Sequence, residues 1–264
     1  MRRRLLRILL ICGILGINQN VFANNDYTSF QEFDRQFNLN FGISQTTLKN
    51  GVGDMAGVSQ QSYGIDVERL FNNGVWFDIS GNIVTSSLNN QVNGIGYGSS
   101  AFNQMWNLGG LNAKVGYGFG LIDEHLLLTP YALVGRNTNL AASTLLYNNN
   151  KNVTNDFFYT AGIGGRVEYR INSTVDLYLD QLIAYNWDQS GPINGVMPQN
   201  NQVYTTTLGT KFNVYKQLQL GLSAFYTIYQ NMAALPTDPN TKVGVYYPGN
   251  EGSFGGTISI GLTY

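Results

Sequence analysis

Past position 12 the sequence contains no cysteine, Cys12 being the only one in 264 residues. If that cysteine belongs to a removed leader, the exported chain holds together without disulfides. Histidine is almost as scarce, with His125 alone, and no Cys/His spacing of the zinc-binding kind occurs. Charged residues make up only 12% of the chain, roughly half the usual share, so much of the outer surface must be hidden from water. After the N-terminal region no stretch approaches eighteen consecutive apolar residues, which excludes membrane-spanning helices. Phosphate-cradling loops are missing too. "GIGYG" (94–98) and "GYGFG" (116–120) open no helix after a strand and are not nucleotide fingerprints. No cofactor and no metal are expected.

What is present begins with "MRRRLLRILLICGILGINQNVFA". Arg2, Arg3, Arg4 and Arg7 form a basic region, an apolar run extends from Leu5 to Ile17, and Val21-Phe22-Ala23 suits cleavage. This reads as a secretory signal peptide over residues 1–23. Removing its four arginines leaves eleven basic residues against sixteen acids, a net charge of −5, which argues against a nucleic-acid partner. Residues 24–35 read as a periplasmic N-terminal segment. In "DYTSFQEFDRQF" (26–37), Tyr27, Phe30, Phe33 or Asp34, and Phe37 keep helical spacing. A short amphipathic helix on the inner leaflet or in the barrel mouth is one reading, a disordered leader the other.

Residues 36–264 alternate large apolar side chains with small or polar ones, the mark of strands. Ten segments show this period: 36–46, 60–71, 75–86, 108–121, 126–138, 157–171, 175–187, 203–214, 217–229 and 254–264. Short connections such as "NNG" (72–74) and "NST" (172–174) alternate with long ones, the first of them about 13 residues and the rest 15 to 24. Of six prolines only Pro130 interrupts a segment. The fold class is therefore all-β: a transmembrane antiparallel up-and-down β-barrel of ten strands, give or take two, with turns in the periplasm and loops outside. A soluble sandwich has short strands too, but not this alternation of turns and loops.

"YTAGIGGRVEYRINSTVDLYLDQ" (159–181), with "LTPYALVG" (128–135) before it, resembles the paired glycine-rich strands of the OmpA-like and OmpX-like small outer-membrane barrels of Gram-negative bacteria. That family commonly has eight strands, and the hairpin at 203–229 is additional. The resemblance implies a place in the outer membrane, contact with its lipid and lipopolysaccharide, and insertion by the barrel assembly machinery. It also implies that this machinery reads the aromatic Tyr264 as an assembly signal.

In a membrane barrel the apolar parity faces lipid and the polar parity fills the lumen. The lumen then holds Asp66, Glu68, Asp78, Glu168, Asp176 and Asp180 against Lys114, Arg166, Arg170 and Lys211. If Ile171 faces Val175 across "NST", Arg170 opposes Asp176 and Arg166 opposes Asp180, giving two cross-strand ion pairs. Glu68 opposes Asp78 across "NNG", with Gly74 in the left-handed position, and these two acids call for a cation from Lys114 or Arg35. Mixed signs in so narrow a barrel read as a salt-bridged plug, the alternative being a gated polar path. Phe71, Phe119, Tyr169, Phe212 and Tyr264 are expected at the inner rim, and Phe157, Tyr159, Tyr185, Trp187 and Tyr204 near the outer one.

His125, beside Asp123 and Glu124 in a turn, has no nucleophile constellation around it, so no catalytic residue is assigned and no enzymatic activity is expected. Functional contacts fall to the long loops, where Phe102, Trp106, Tyr246 and Tyr247 are the candidates for an unidentified extracellular ligand; the sober alternative is that these loops only solvate the barrel top. The function read here is a non-catalytic outer-membrane barrel that displays loops for adhesion or ligand contact, or supports membrane integrity; the alternative is a narrow pore for small solutes. The purified protein is expected to need detergent and to run differently on gels before and after boiling. Solubility without detergent and no heat-dependent shift would contradict the barrel.

Overall fold

The computed structural model describes residues 27–49, 55–89, 107–121, 125–138, 157–188, 201–215, 217–232 and 249–263. A short helix α1 (Thr28–Gln31) precedes strands β1 (Arg35–Lys49), β2 (Met55–Leu70), β3 (Val75–Asn89), β4 (Asn107–Tyr117), β5 (Phe119–Leu121) and β6 (Leu126–Thr138). There follow β7 (Phe157–Arg170), β8 (Val175–Asp188), β9 (Asn201–Tyr215), β10 (Leu218–Met232) and β11 (Gly249–Thr263). Each strand pairs antiparallel with its sequence neighbours, β4 and β5 act as one interrupted strand against β6, and β11 returns to pair with β1. The result is a closed up-and-down barrel of ten strands.

The seam runs Gln36 against Thr263 through Thr47 against Gly252, so the last segment closes on the first and leaves no unpaired edge. Phe37 lies opposite Leu262, Leu39 opposite Ile260 and Phe41 opposite Ile258. All six are exposed, while Gln36 and Asn38 on the other parity are buried. The same inversion runs round the ring: Ile163 is 69% exposed, whereas Arg166, Glu168, Asp176 and Lys211 are buried. No soluble surface leaves such a continuous apolar belt in water. With every backbone ladder closed and the charges inside, the barrel is built to stand in a bilayer. No helix among the described residues is long and apolar enough to cross one.

Several strands run past the segments legible from alternation, β1 to Lys49 and β2 from Met55. Hydrogen bonding continues beyond the apolar belt, where outward residues need no longer be greasy, so periodicity loses the strand before the ladder ends. The first connection therefore shrinks to residues 50–54 instead of being long, and the others at that end span 90–106, 139–156, 189–200 and 233–248. At the opposite end the turns are tight. Phe71 N–H donates to the Val75 carbonyl at 2.8 Å, and Gly74 takes φ 83°, a region costly for a side chain. In the 171–174 turn, Asn172 Oδ1 accepts from Thr174 N–H at 2.8 Å and Val175 N–H at 2.9 Å, an Asx-type closure.

Pro130 stays inside β6 because its missing donor falls at a gap. β4 pairs with β6 as far as Gly116 opposite Tyr131, and β5 resumes at Phe119 opposite Leu128. At that gap Gly118 N–H donates to the Gly74 carbonyl at 2.8 Å, and the Gly118 carbonyl accepts from Tyr27 Oη at 2.9 Å. The interruption is thus satisfied from the neighbouring turn and from the N-terminal segment.

Glycines on the inner face make room for aromatic rings. Tyr131 lies against Gly164, and Tyr178 against Gly209, each where a Cβ would collide with the ring. Gly164→Val is expected to cost about 1–3 kcal/mol by displacing Tyr131, read as a lower urea midpoint in lipid vesicles. Gly165→Val, one residue along in open space, should stay within about 0.5 kcal/mol of the parent.

Candidate functional site: a charged plug in the lumen

Residues 27–34 fold into the turn end of the barrel. Gln31 N–H and Asp34 N–H donate to the Tyr27 and Phe30 carbonyls at 2.9 Å, winding a single helical turn with its extension. Phe30, Phe33 and Asp34 have no exposed surface. Tyr27 and Phe30 share an apolar cluster with Leu70, Trp76, Leu127, Tyr131 and Leu133, so the barrel carries a small hydrophobic core inside a polar wall. Polar clamps fix the segment: Gln31 Nε2 donates to Asn72 Oδ1 at 2.6 Å, and Leu70 N–H to the Asp34 carbonyl at 2.8 Å. Phe37, on the same helical spacing in the sequence, belongs instead to β1 and faces outward.

Glu68 is the hub of the charges. Its Oε1 accepts from Arg166 at 2.5 Å and from Trp76 Nε1 at 2.9 Å; its Oε2 accepts from Lys211 at 3.0 Å and from Gln36 Nε2 at 2.9 Å. Arg166 on β7 and Lys211 on β9 each lie four strands from β2 around the ring, so these bonds are struts across the lumen. Lys211 also donates to Asp34 Oδ1 at 2.5 Å and to the Phe33 carbonyl at 3.2 Å, which nails the N-terminal segment to the far wall. Arg166 meets Glu168 at 2.6 Å and sits 4.4 Å over the Tyr178 ring. Burial pushes the Asp34 carboxyl well above the ordinary aspartate range, with Glu168 adding to that push and Lys211 opposing it.

Nearer the loop end a second cluster joins Lys114 to Asp78 at 3.2 Å and Asp180 at 3.6 Å. Tyr131 donates to Asp180, and Asp66 accepts from Asn38 at 2.7 Å and from Asn40. Beyond lies a layer of amides and hydroxyls: Asn137 to Thr160 at 3.1 Å, Thr160 to Asn186 at 2.8 Å, and Thr46 to Ser253 at 3.1 Å.

The hairpin register falls where the turn arithmetic puts it, with Arg170 opposite Asp176 and Arg166 opposite Asp180. The expected ion pairs do not follow from it. Arg166 reaches across to Glu68, Asp180 is taken by Lys114 and Tyr131, and Asp176 and the half-buried Arg170 make no ion pair. In a narrow lumen a long side chain meets the opposite wall as readily as its cross-strand neighbour, so pairing by strand order fails. Of the two cations considered for Asp78 and Glu68, Lys114 takes Asp78; Arg35 shares the outward parity of Phe37, opposite Arg69. Asp34, expected only as a position on the helical spacing of the N-terminal segment, completes the network together with Gln36, Trp76, Tyr131 and Tyr178, which the lumen charges read from parity do not include. Trp76 shares the parity of Asp78, and Tyr131 that of Thr129, so the signal was there.

His125 is exposed, with Nδ1–H donating to the Arg170 carbonyl at 2.9 Å, a tie from the residue before β6 to the end of β7. Phe102, Trp106, Tyr246, Tyr247 and Tyr264 lie outside the described residues.

No family model matches the chain, and no curated protein does. Among solved structures it is similar to the β domain of the Bordetella autotransporter BrkA, at 10% identity over 88% of this chain and 100% of that one, with a TM-score of 0.47. The COG4313 outer membrane channel from Pseudomonas putida F1 gives 10% identity, 86% and 94% coverage and a TM-score of 0.47. The outer membrane protease OmpT of Escherichia coli gives 8%, 92% and 100%, and 0.40. Neighbours so distant, differing in what they do, carry nothing to the function of this chain; the barrel rests on its own closed pairing.

Glu68→Ala would remove the strut shared by Arg166 and Lys211, leaving each with one carboxylate, Glu168 and Asp34, and would leave Trp76 Nε1 and Gln36 Nε2 without their acceptor. A loss of about 1–3 kcal/mol is expected, measured by urea unfolding of the vesicle-inserted protein against the parent.

Proposed function

We propose that the chain is a Gram-negative outer-membrane protein without catalytic activity, exported by residues 1–23, whose closed lumen makes the barrel a platform for its loops. The seating of residues 27–34 in the lumen carries this reading. Phe30 and Phe33 are fully buried, and Lys211 holds Asp34 from the opposite wall. An ion path would have to pass this apolar core and then the bonded struts on Glu68. The turn end, with the N-terminal segment, faces the periplasm, and the loop end faces outward among lipopolysaccharide. Tyr264 serves the insertion machinery, and Phe102, Trp106, Tyr246 and Tyr247 serve adhesion or ligand contact outside.

The narrow pore is the reading that conductance decides. In planar bilayers the parent protein should give no steady single-channel steps, and whole-cell protease should cleave within 90–106 and 233–248. Steady steps abolished by changing Arg166 or Asp180 would overturn the closed lumen, and loops protected on intact cells would overturn the orientation.

A further inference from the structure

Among the described residues, four carboxylates gather at the turn end of the lumen and two cationic side chains ion-pair with them. Asp34, Glu68, Glu168 and Asp176 are buried, all but Glu68 completely. Arg166 meets Glu68 Oε1 and Glu168 Oε1, and Lys211 meets Asp34 Oδ1 and Glu68 Oε2. Glu68 is thereby saturated. Asp34 Oδ2, Glu168 Oε2 and both oxygens of Asp176 have no hydrogen-bond partner. Asp34, Glu68 and Glu168 each bring an oxygen within 4.8 Å of the others.

Asp176 adds an observation independent of that triangle. It stands opposite Lys211 in the β8–β9 register, close enough for the charge of Asp34 to act on it and for its own charge to act on Glu168. Arg170, its partner across the hairpin, leaves its Nε unbonded and makes no ion pair with it. A fully buried carboxylate with both oxygens bare, beside two others each with a spare oxygen, is not a resting arrangement for anions in a low dielectric. Two negative charges remain after Arg166 and Lys211 are counted.

We propose that Asp34, Glu168 and Asp176 bind one calcium ion, which clips the N-terminal plug to β7 and β8. The donors are all hard oxygens, with no imidazole or thiolate to favour a transition metal. Calcium–oxygen bonds of about 2.3–2.6 Å let one ion bridge oxygens of Asp34 and Glu168 lying within 4.8 Å of each other, and calcium accepts irregular shells completed by further ligands and water. Magnesium demands a near-regular octahedron and gives up its waters reluctantly, a poor match to a lumen filled by Phe30, Phe33 and Trp76. With the ion bound, the four carboxylates face Arg166, Lys211 and a double charge, and the cluster is neutral. The site stands whether or not the lumen conducts.

The test uses the full mature chain, refolded in detergent free of lipopolysaccharide so that no other divalent sink is present, and stripped with EDTA. Terbium(III), a calcium surrogate, is titrated with excitation of tryptophan, since Trp76 is hydrogen-bonded to Glu68 beside the site. One ion per chain should give sensitised emission, displaced by calcium and much less by magnesium, and calcium should raise the temperature at which the compact gel species is lost. Asp176→Asn should weaken binding by roughly tenfold or more, whereas Asp66→Asn, in the upper cluster, should not. Should Asp176→Asn fail to assemble, the parent titration and Glu168→Gln decide. No sensitised emission and no calcium dependence in the parent would overturn the site and leave protons to neutralise the cluster; so would an Asp176→Asn chain that binds as the parent does.

Discussion

Everything in this molecule follows from one constraint: in hydrocarbon no backbone N–H or C=O can turn to water, so the sheet must close on itself. The seam between β1 and β11 meets it, running unbroken from Gln36–Thr263 to Thr47–Gly252. Once the ring is closed, alternation leaves each strand one choice, apolar out and polar in. Where the ladder does break, at Gly118, the orphaned amide and carbonyl are answered by Gly74 and Tyr27. The proline that would have damaged a ladder sits opposite that break.

Closure then creates a second problem inside. A ten-strand ring is too narrow for a wide aqueous channel and too wide for one layer of side chains to fill. Here the gap is filled in two ways. At the turn end the chain returns its own residues 27–34 as an apolar plug; above it, charges and amides bridge the walls. Buried ion pairs are poor sources of stability compared with apolar packing, and their use here has another reason. Inward-facing positions are polar by the alternation that keeps the outside greasy, and Glu68, with four donors on two oxygens, is the arrangement by which a polar wall satisfies itself.

The architecture was legible in the sequence because it depends on period two, which runs through β1, β7, β8 and β11 with few breaks, Gln181 in β8 among them. Parity also told which charges face inward. Turns fixed two registers: β7–β8 from Ile171 facing Val175 across "NST", and β2–β3 from "NNG" with Gly74. The partners of those charges were not legible, since Arg166 to Glu68 spans 98 residues and the full lumen, a relation that no local spacing encodes. The plug was half legible: its helical spacing showed at Tyr27, Phe30 and Phe33, but the same spacing continued to Phe37, where the β1 ladder overrides it. Strand ends were lost wherever the ladder leaves the apolar belt, since periodicity reads lipid contact and not hydrogen bonds.

The long reach of these contacts also orders assembly. Asp34 lies 177 residues before Lys211, and Phe33 contacts the same ammonium, so the plug cannot be fastened until β9 has joined the sheet. Local hairpins such as β7–β8 carry no such delay, because loop closure for neighbouring strands is cheap. The cross-lumen struts on Glu68 likewise need β2, β7 and β9 in place together. Until then, Asp34, Glu68 and Glu168 face an open, wet interior in which their charges are unproblematic. Pairing of neighbouring strands needs none of these contacts, whereas the network on Glu68 needs three strands from opposite walls in place at once. Its integrity therefore depends on the ring as a whole in a way that no single hairpin does.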